Sequence, residues 1–157
     1  MQLTADAQVV VVHDQDLGRL CGPQYKGMAV AQFAYHELPP LLHPGGEVAR
    51  IPLLDTVLTR FPTAPVQLDL KARTPGLVPS VYALIQRHRM EDKVLWGSFT
   101  HATNSELYLT CPRIPLFTSM PRALYLLAAY YTGRLDQVRV QNPDPGLSVY
   151  LIIIIIP

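Results

Sequence analysis

Val9-Val10-Val11-Val12-His13-Asp14-Gln15-Asp16-Leu17-Gly18-Arg19-Leu20-Cys21-Gly22 is the stretch on which the fold turns. Four consecutive β-branched apolar residues predict a strand over 8–12, buried on both faces as the strands of a parallel sheet are. An imidazole and a carboxylate follow at once, His13 and Asp14. In barrel-type α/β folds the end of a strand is the edge that carries chemistry. A strand and a candidate site thus fall within the first fourteen residues, which leads us to expect a chain whose front is missing.

Downstream, residues 13–46 read as a long irregular stretch, with Gly22-Pro23, Pro39-Pro40 and Pro44-Gly45-Gly46. Loops of that length are usually functional or disordered. Pro52 suits the first turn of a helix, along which Leu54, Val57, Leu58 and Phe61 keep helical spacing until Pro62. In Pro65–Lys71, Val66, Leu68 and Leu70 alternate with Gln67, Asp69 and Lys71, the period of a strand. This places Asp69 and Lys71 on one strand face. Thr74-Pro75 reads as a cap and a first-turn proline, opening a helix to about Met90 with Leu77, Val81, Leu84 and Ile85 as its stripe. Then come a strand over 93–100 carrying Trp96 and Ser98, a short helix over 103–109, a short strand over 114–119 and an apolar helix over 121–132. Strands alternating with helices predict a parallel α/β sheet with right-handed crossovers. Asn142–Gly146 is a turn or linker, and Leu151–Ile156 is a β-branched run. These give an expected division into a domain over 1–135 and a divergent apolar tail over 136–157.

The composition narrows the function. Charged residues make up 16% of the 157, below the roughly 25% of ordinary soluble domains, while 49% are hydrophobic. Such a surface is largely covered or meets something apolar. The formal net charge of +1 and the absence of a basic run give no footprint for nucleic acid. Cys21 and Cys111 lack metal-type spacing and read as free thiols of a reducing compartment. No cleavable leader is visible, and no segment reaches about 18 uninterrupted apolar residues, so no spanning helix is expected.

Five residues could carry or support chemistry. His13 is either a solvated strand end or a general acid or base, for which imidazole suits neutral pH. Asp14 could orient the loop or cap it. Asp69 and Lys71 are either a surface ion pair, worth roughly 0–1 kcal/mol, or a carboxylate for a hard cation beside an ammonium for a phosphoryl oxygen. Trp96 is either core or an apolar wall for substrate. His36, His43, His88 and His101 show no partner spacing and read as surface residues.

Together these residues resemble the glycerophosphodiester phosphodiesterase family. Leu3-Thr4-Ala5-Asp6-Ala7-Gln8-Val9-Val10-Val11 is similar to its T-x-D-G-x-x-V-V strand entry. His13-Asp14, Leu17, Arg19 and Cys21-Gly22 are similar to H-D-x-x-L-x-R-x-T-G, with Cys21 for Thr. Ile51-Pro52-Leu53-Leu54-Asp55 looks like I-P-x-L-x-E, and Asp69-Leu70-Lys71 like E-I-K, each with one exchange of acidic residue. Leu95-Trp96-Gly97 and the apolar helix after it resemble the membrane-associated animal members. The resemblance covers roughly 1–135.

The resemblance implies a partial TIM barrel of the phospholipase-C-like phosphodiesterase type. It implies a lysophospholipase D-like hydrolase of lipid metabolism, acting on lysophospholipids or glycerophosphodiesters at a membrane surface with Mg²⁺ or Ca²⁺. By position, His13 matches the histidine that protonates the leaving alcohol, Asp69 a metal carboxylate, and Lys71 the lysine near the phosphate; Trp96 would wall the substrate. The family's first histidine, in H-R-G, and its E-x-D metal pair have no counterpart in the 157 residues. A complete barrel takes ~250 residues and eight strands, against about four expected here. The expectation is therefore an incomplete, inactive chain, the alternative a non-catalytic fragment that binds a membrane or a partner. A cytoplasmic location, or one on membranes such as the endoplasmic reticulum, would follow.

Overall fold

The computed structural model describes residues 1–42, 48–71 and 74–135. His43, the turn at 142–146 and the apolar tail lie outside the described residues. Those described form two compact units: Met1–Ala64 with Leu70–Met90, and Pro65–Asp69 with the residues from Glu91 onward.

The first unit opens with β1 (Gln2–Leu3) and β2 (Val9–Val10), paired antiparallel. The predicted strand over 8–12 is thus shorter, and it pairs in the opposite sense to that expected. The reason lies in the connection. Thr4 to Gln8 is too short for a crossover to a parallel partner, which takes a dozen or more residues. Instead Thr4 N donates to Gln8 O at 3.0 Å and Gln8 N to Thr4 Oγ1 at 2.8 Å, closing a hairpin. Val11 N then donates to Pro52 O at 2.9 Å, and Val10 bridges Leu53. These two contacts hold 52–53 extended. The helix α2 therefore starts at Leu54 (Leu54–Arg60), after Pro52 instead of on it.

Residues 13–42 are ordered by short elements, not left as a loop. These are α1 (Gly18–Cys21), three 3₁₀ turns (Pro23–Tyr25, Val30–Gln32, Tyr35–Glu37) and β3 (Leu41–Leu42), which pairs antiparallel with β4 (Val48–Ala49). Asp16 ties the first of these together, accepting from Gly18 N at 2.7 Å and Gly27 N at 2.5 Å. Beneath them Val10, Val12, Leu17, Cys21, Val30 and Ile51 form one buried cluster. Helix α3 (Leu77–Arg87) buries Leu77, Val78, Val81 and Ile85 and packs with α2 and β2. Burial of such side chains stabilises by roughly 1.5–3 kcal/mol each. Thr74-Pro75 does not cap α3: Leu77 N donates to Thr74 O at 3.1 Å, making a turn, and Gly76 at φ 87° takes the N-cap position.

In the second unit β5 (Val66–Asp69) and β6 (Val94–Gly97) pair in parallel, with Val66 opposite Val94 and Asp69 opposite Gly97. The alternation read from sequence holds, since Leu68 is buried and Gln67 exposed. The strand ends at Asp69, however, so Lys71 lies beyond it and the two do not share a strand face. Leu116 makes a single parallel bridge to Trp96, through Trp96 N to Pro115 O (3.1 Å) and Phe117 N to Trp96 O (3.0 Å). The strand expected over 114–119 is limited to that bridge, because Pro115 has no N–H to extend a ladder. Helices α4 (His101–Thr110) and α5 (Met120–Tyr131) follow as predicted, each within a few residues.

Candidate functional site

His13 stands just past β2 with its side chain 72% exposed. Its Nδ1 lies 2.7 Å from Asp14 Oδ1, while Arg19 Nε, from α1, donates to Asp14 Oδ2. The Arg19 guanidinium, and then the His13 ring, hold the Asp14 carboxyl down at about 2. Asp14 is thus a fixed anion gripped from both sides. Its backbone is fixed as well, since the buried Gln2 on β1 donates Nε2 to Asp14 O at 2.5 Å. One residue on, Gln15 Nε2 donates to Lys71 O at 3.4 Å. Within the first unit, then, the structure brings the His13 loop and the Lys71 backbone together, although 56 residues of sequence separate the bonded pair.

The other two candidates stand on the adjacent parallel strands of the second unit. Asp69 ends β5 opposite Gly97, and Trp96 is opposite Leu68. Trp96 has no exposed surface and occupies the core of its unit. After it the chain turns into α4 through a polar network. Asn104 Oδ1 accepts from Ser98 N at 2.6 Å, and Asn104 Nδ2 donates to Phe117 O at 3.0 Å.

A hard divalent cation takes six or more oxygen ligands. Among the described residues no group of three His, Cys, Asp or Glu is placed to hold a metal. The donors among the described residues do not by themselves make a divalent-cation site. Of the remaining histidines, His36 and His101 are exposed. His88 is not the plain surface residue its spacing suggested. At 18% exposure its Nε2 lies 2.8 Å from Asp55 Oδ1, joining α3 to α2. Cys21 and Cys111 are free and buried. Cys21 Sγ donates to Pro39 O at 3.6 Å, a structural use of the position, and burial pushes its thiol up.

Sequence reasoning missed the roles of Gln2, Gln15 and Arg19. Only Arg19 left a signal, its place in the His13–Gly22 array.

The chain is 31% identical over 165 residues to the human protein lysophospholipase D GDPD1, covering 95% of this chain and 52% of that protein. It is 32% identical over 128 residues to a glycerophosphodiester phosphodiesterase of Bacillus altitudinis, covering 74% of this chain and 51% of the relative. Over nearly its whole length the chain is similar to members of the glycerophosphodiester phosphodiesterase family. It spans about half the length of the curated relatives it matches. No family model matches it. The crystal structure of glycerophosphodiester phosphodiesterase from Agrobacterium tumefaciens superposes on 74% of this chain and 51% of its own, with a TM-score of 0.64 at 22% identity. That likeness shows the fold, a TIM-barrel-like α/β architecture of which this chain carries a part.

Proposed function

We propose that this chain carries one side of a phosphodiester-hydrolysing site, with His13 as the proton-transferring group and Lys71 beside the phosphate. The substrate class is a glycerophosphodiester or lysophospholipid, the class named in its relatives. The observation that supports this reading is the exposed imidazole of His13, backed by an anionic Asp14 on a loop tied to Lys71. Asp69 is the proposed carboxylate toward a Mg²⁺ or Ca²⁺ ion that other donors would complete. The 157-residue chain alone has no measurable turnover, because one imidazole and one carboxylate do not supply both an acid–base pair and a cation site.

Two measurements test this. Titrating the ¹⁵N-labelled chain with glycerol 3-phosphate is expected to shift the amides of residues 13–15 and Lys71. A titration that leaves them unmoved removes the substrate assignment. A hydrolysis assay on glycerophosphodiesters and lysophospholipids with added Mg²⁺ or Ca²⁺ is expected to show no product. Turnover that disappears in His13→Ala would overturn the inactivity.

A second reading is a non-catalytic one, binding to a lipid surface through α5. Met120, Leu124, Leu127 and Tyr131 follow one another at helical spacing, and all four are at least half exposed. Residues 107–135 contain Arg113, Arg122 and Arg134 and no acidic residue. Apolar area flanked by arginines suits anionic lipid. Flotation with phosphatidylserine-containing vesicles is expected, and loss of it in Leu124→Glu/Leu127→Glu. Equal flotation of the variant counts against this reading.

A further inference from the structure

We propose that Arg19 is a positioning residue that acts on His13 through Asp14, fixing which imidazole nitrogen faces the substrate. The proposal rests on the assignment of His13 as the proton-transferring group and adds the device that orients it.

An ionised carboxylate only accepts hydrogen bonds. Asp14 is ionised at neutral pH, so in the 2.7 Å contact with Oδ1 it is Nδ1 of His13 that carries the hydrogen. Nε2 is then the nitrogen free to give or take a proton, and the ring is 72% exposed for it to do so. Free imidazole side chains in water prefer the opposite tautomer, with the hydrogen on Nε2. The contact with Asp14 reverses that preference.

Arg19 matters because Asp14 has two oxygens and they are used by different partners. Arg19 Nε takes Oδ2, and Oδ1 is left turned to His13. Without Arg19 the carboxylate is free to rotate about its last torsion, which is broad for Asp. The main chain of Asp14 is held independently by the buried Gln2, and that of Leu20 and Cys21 by hydrogen bonds to Leu17 O. Removing the Arg19 side chain, itself 70% exposed, therefore loosens the carboxylate without dismantling the loop. A charge-assisted bond is roughly twice as strong as a neutral one, and both bonds of the Arg19–Asp14–His13 series are of that kind.

The test is the tautomer of His13, read from its ring ¹⁵N chemical shifts in the full chain at a pH where imidazole is neutral. The wild type is expected to be mainly the Nδ1–H form. In Arg19→Gln the ratio of Nδ1–H to Nε2–H is expected to fall several-fold. In Asp14→Asn, whose amide can donate as well as accept, the ratio is expected to invert. The amide spectrum of the other residues reports whether each variant keeps its fold. A wild type in the Nε2–H form overturns the proposal, as does an Arg19→Gln ratio equal to that of wild type. Neither result depends on turnover, so a failure of the positioning role is distinguishable from a failure of the hydrolytic reading.

Discussion

Asp14 shows how a single residue on this loop responds to pH. Its carboxyl is depressed from 3.8 to about 2 by Arg19 and then His13. A depressed acid stabilises the folded state above its unfolded value, and that contribution is lost as pH falls toward the folded value. Between about pH 4 and pH 2 the urea midpoint of the chain is expected to drop, and less steeply in Asp14→Asn; equal slopes would contradict the ion-pair account. Two glycines make contrasting residue-scale predictions. At Gly97 a Cβ would sit 2.8 Å from the Phe117 ring, so Gly97→Ala overpacks a core. The cost is about 1–3 kcal/mol, visible as an earlier unfolding transition in Trp96 fluorescence. At Gly76 the added Cβ meets only Leu3 Cδ2, at 3.8 Å, but φ is 87°. Gly76→Ala should cost roughly 1–2 kcal/mol through backbone strain alone, with no loss of core packing in the amide spectrum. His13 and Asp14 were legible as a pair because they adjoin in sequence. The part played by Arg19 was not, since it follows from which carboxylate oxygen each partner reaches.

At the scale of elements, the helices follow their apolar spacing closely, because a stripe at helical period has one way to bury itself. Helix starts were harder to read. Proline at 52 and 75 invites a first-turn assignment, yet both helices begin two residues later, held off by hydrogen bonds to Pro52 O and Thr74 O. The join between α2 and α3 is a purely tertiary feature. His88 and Arg87 both meet Asp55, and the His88 bond is the first cause of its lowered carboxyl. Asp55 is 44% exposed, which screens the pair. His88→Ala is therefore expected to cost only about 0.5–1.5 kcal/mol, measured by urea unfolding followed by circular dichroism. A loss of several kcal/mol would mean that the ring packs more than it pairs. The same contact explains why His88 is not the surface residue expected: its partner is 33 positions away.

At the scale of the whole molecule, the chain spans about half the length of the curated relatives it matches, and its described residues divide into two units. If the described residues hold no cation on their own, Mg²⁺ or Ca²⁺ should leave the thermal midpoint of the chain unchanged. A rise of several degrees that Asp69→Asn abolishes would show that a cation site forms after all. By itself the sequence determined the alternation of strands and helices after residue 50, the parallel sense of β5 and β6, and Asp69 as a candidate at a strand end. These are properties of local period and of connection length, both written along the chain. Only the tertiary structure decided that β2 turns back on β1, that Trp96 is enclosed, that Gln15 reaches Lys71, and that Arg19 holds Asp14 against His13. Each of these depends on which groups compete for the same hydrogen-bond partner or the same buried volume, and that competition is settled in space.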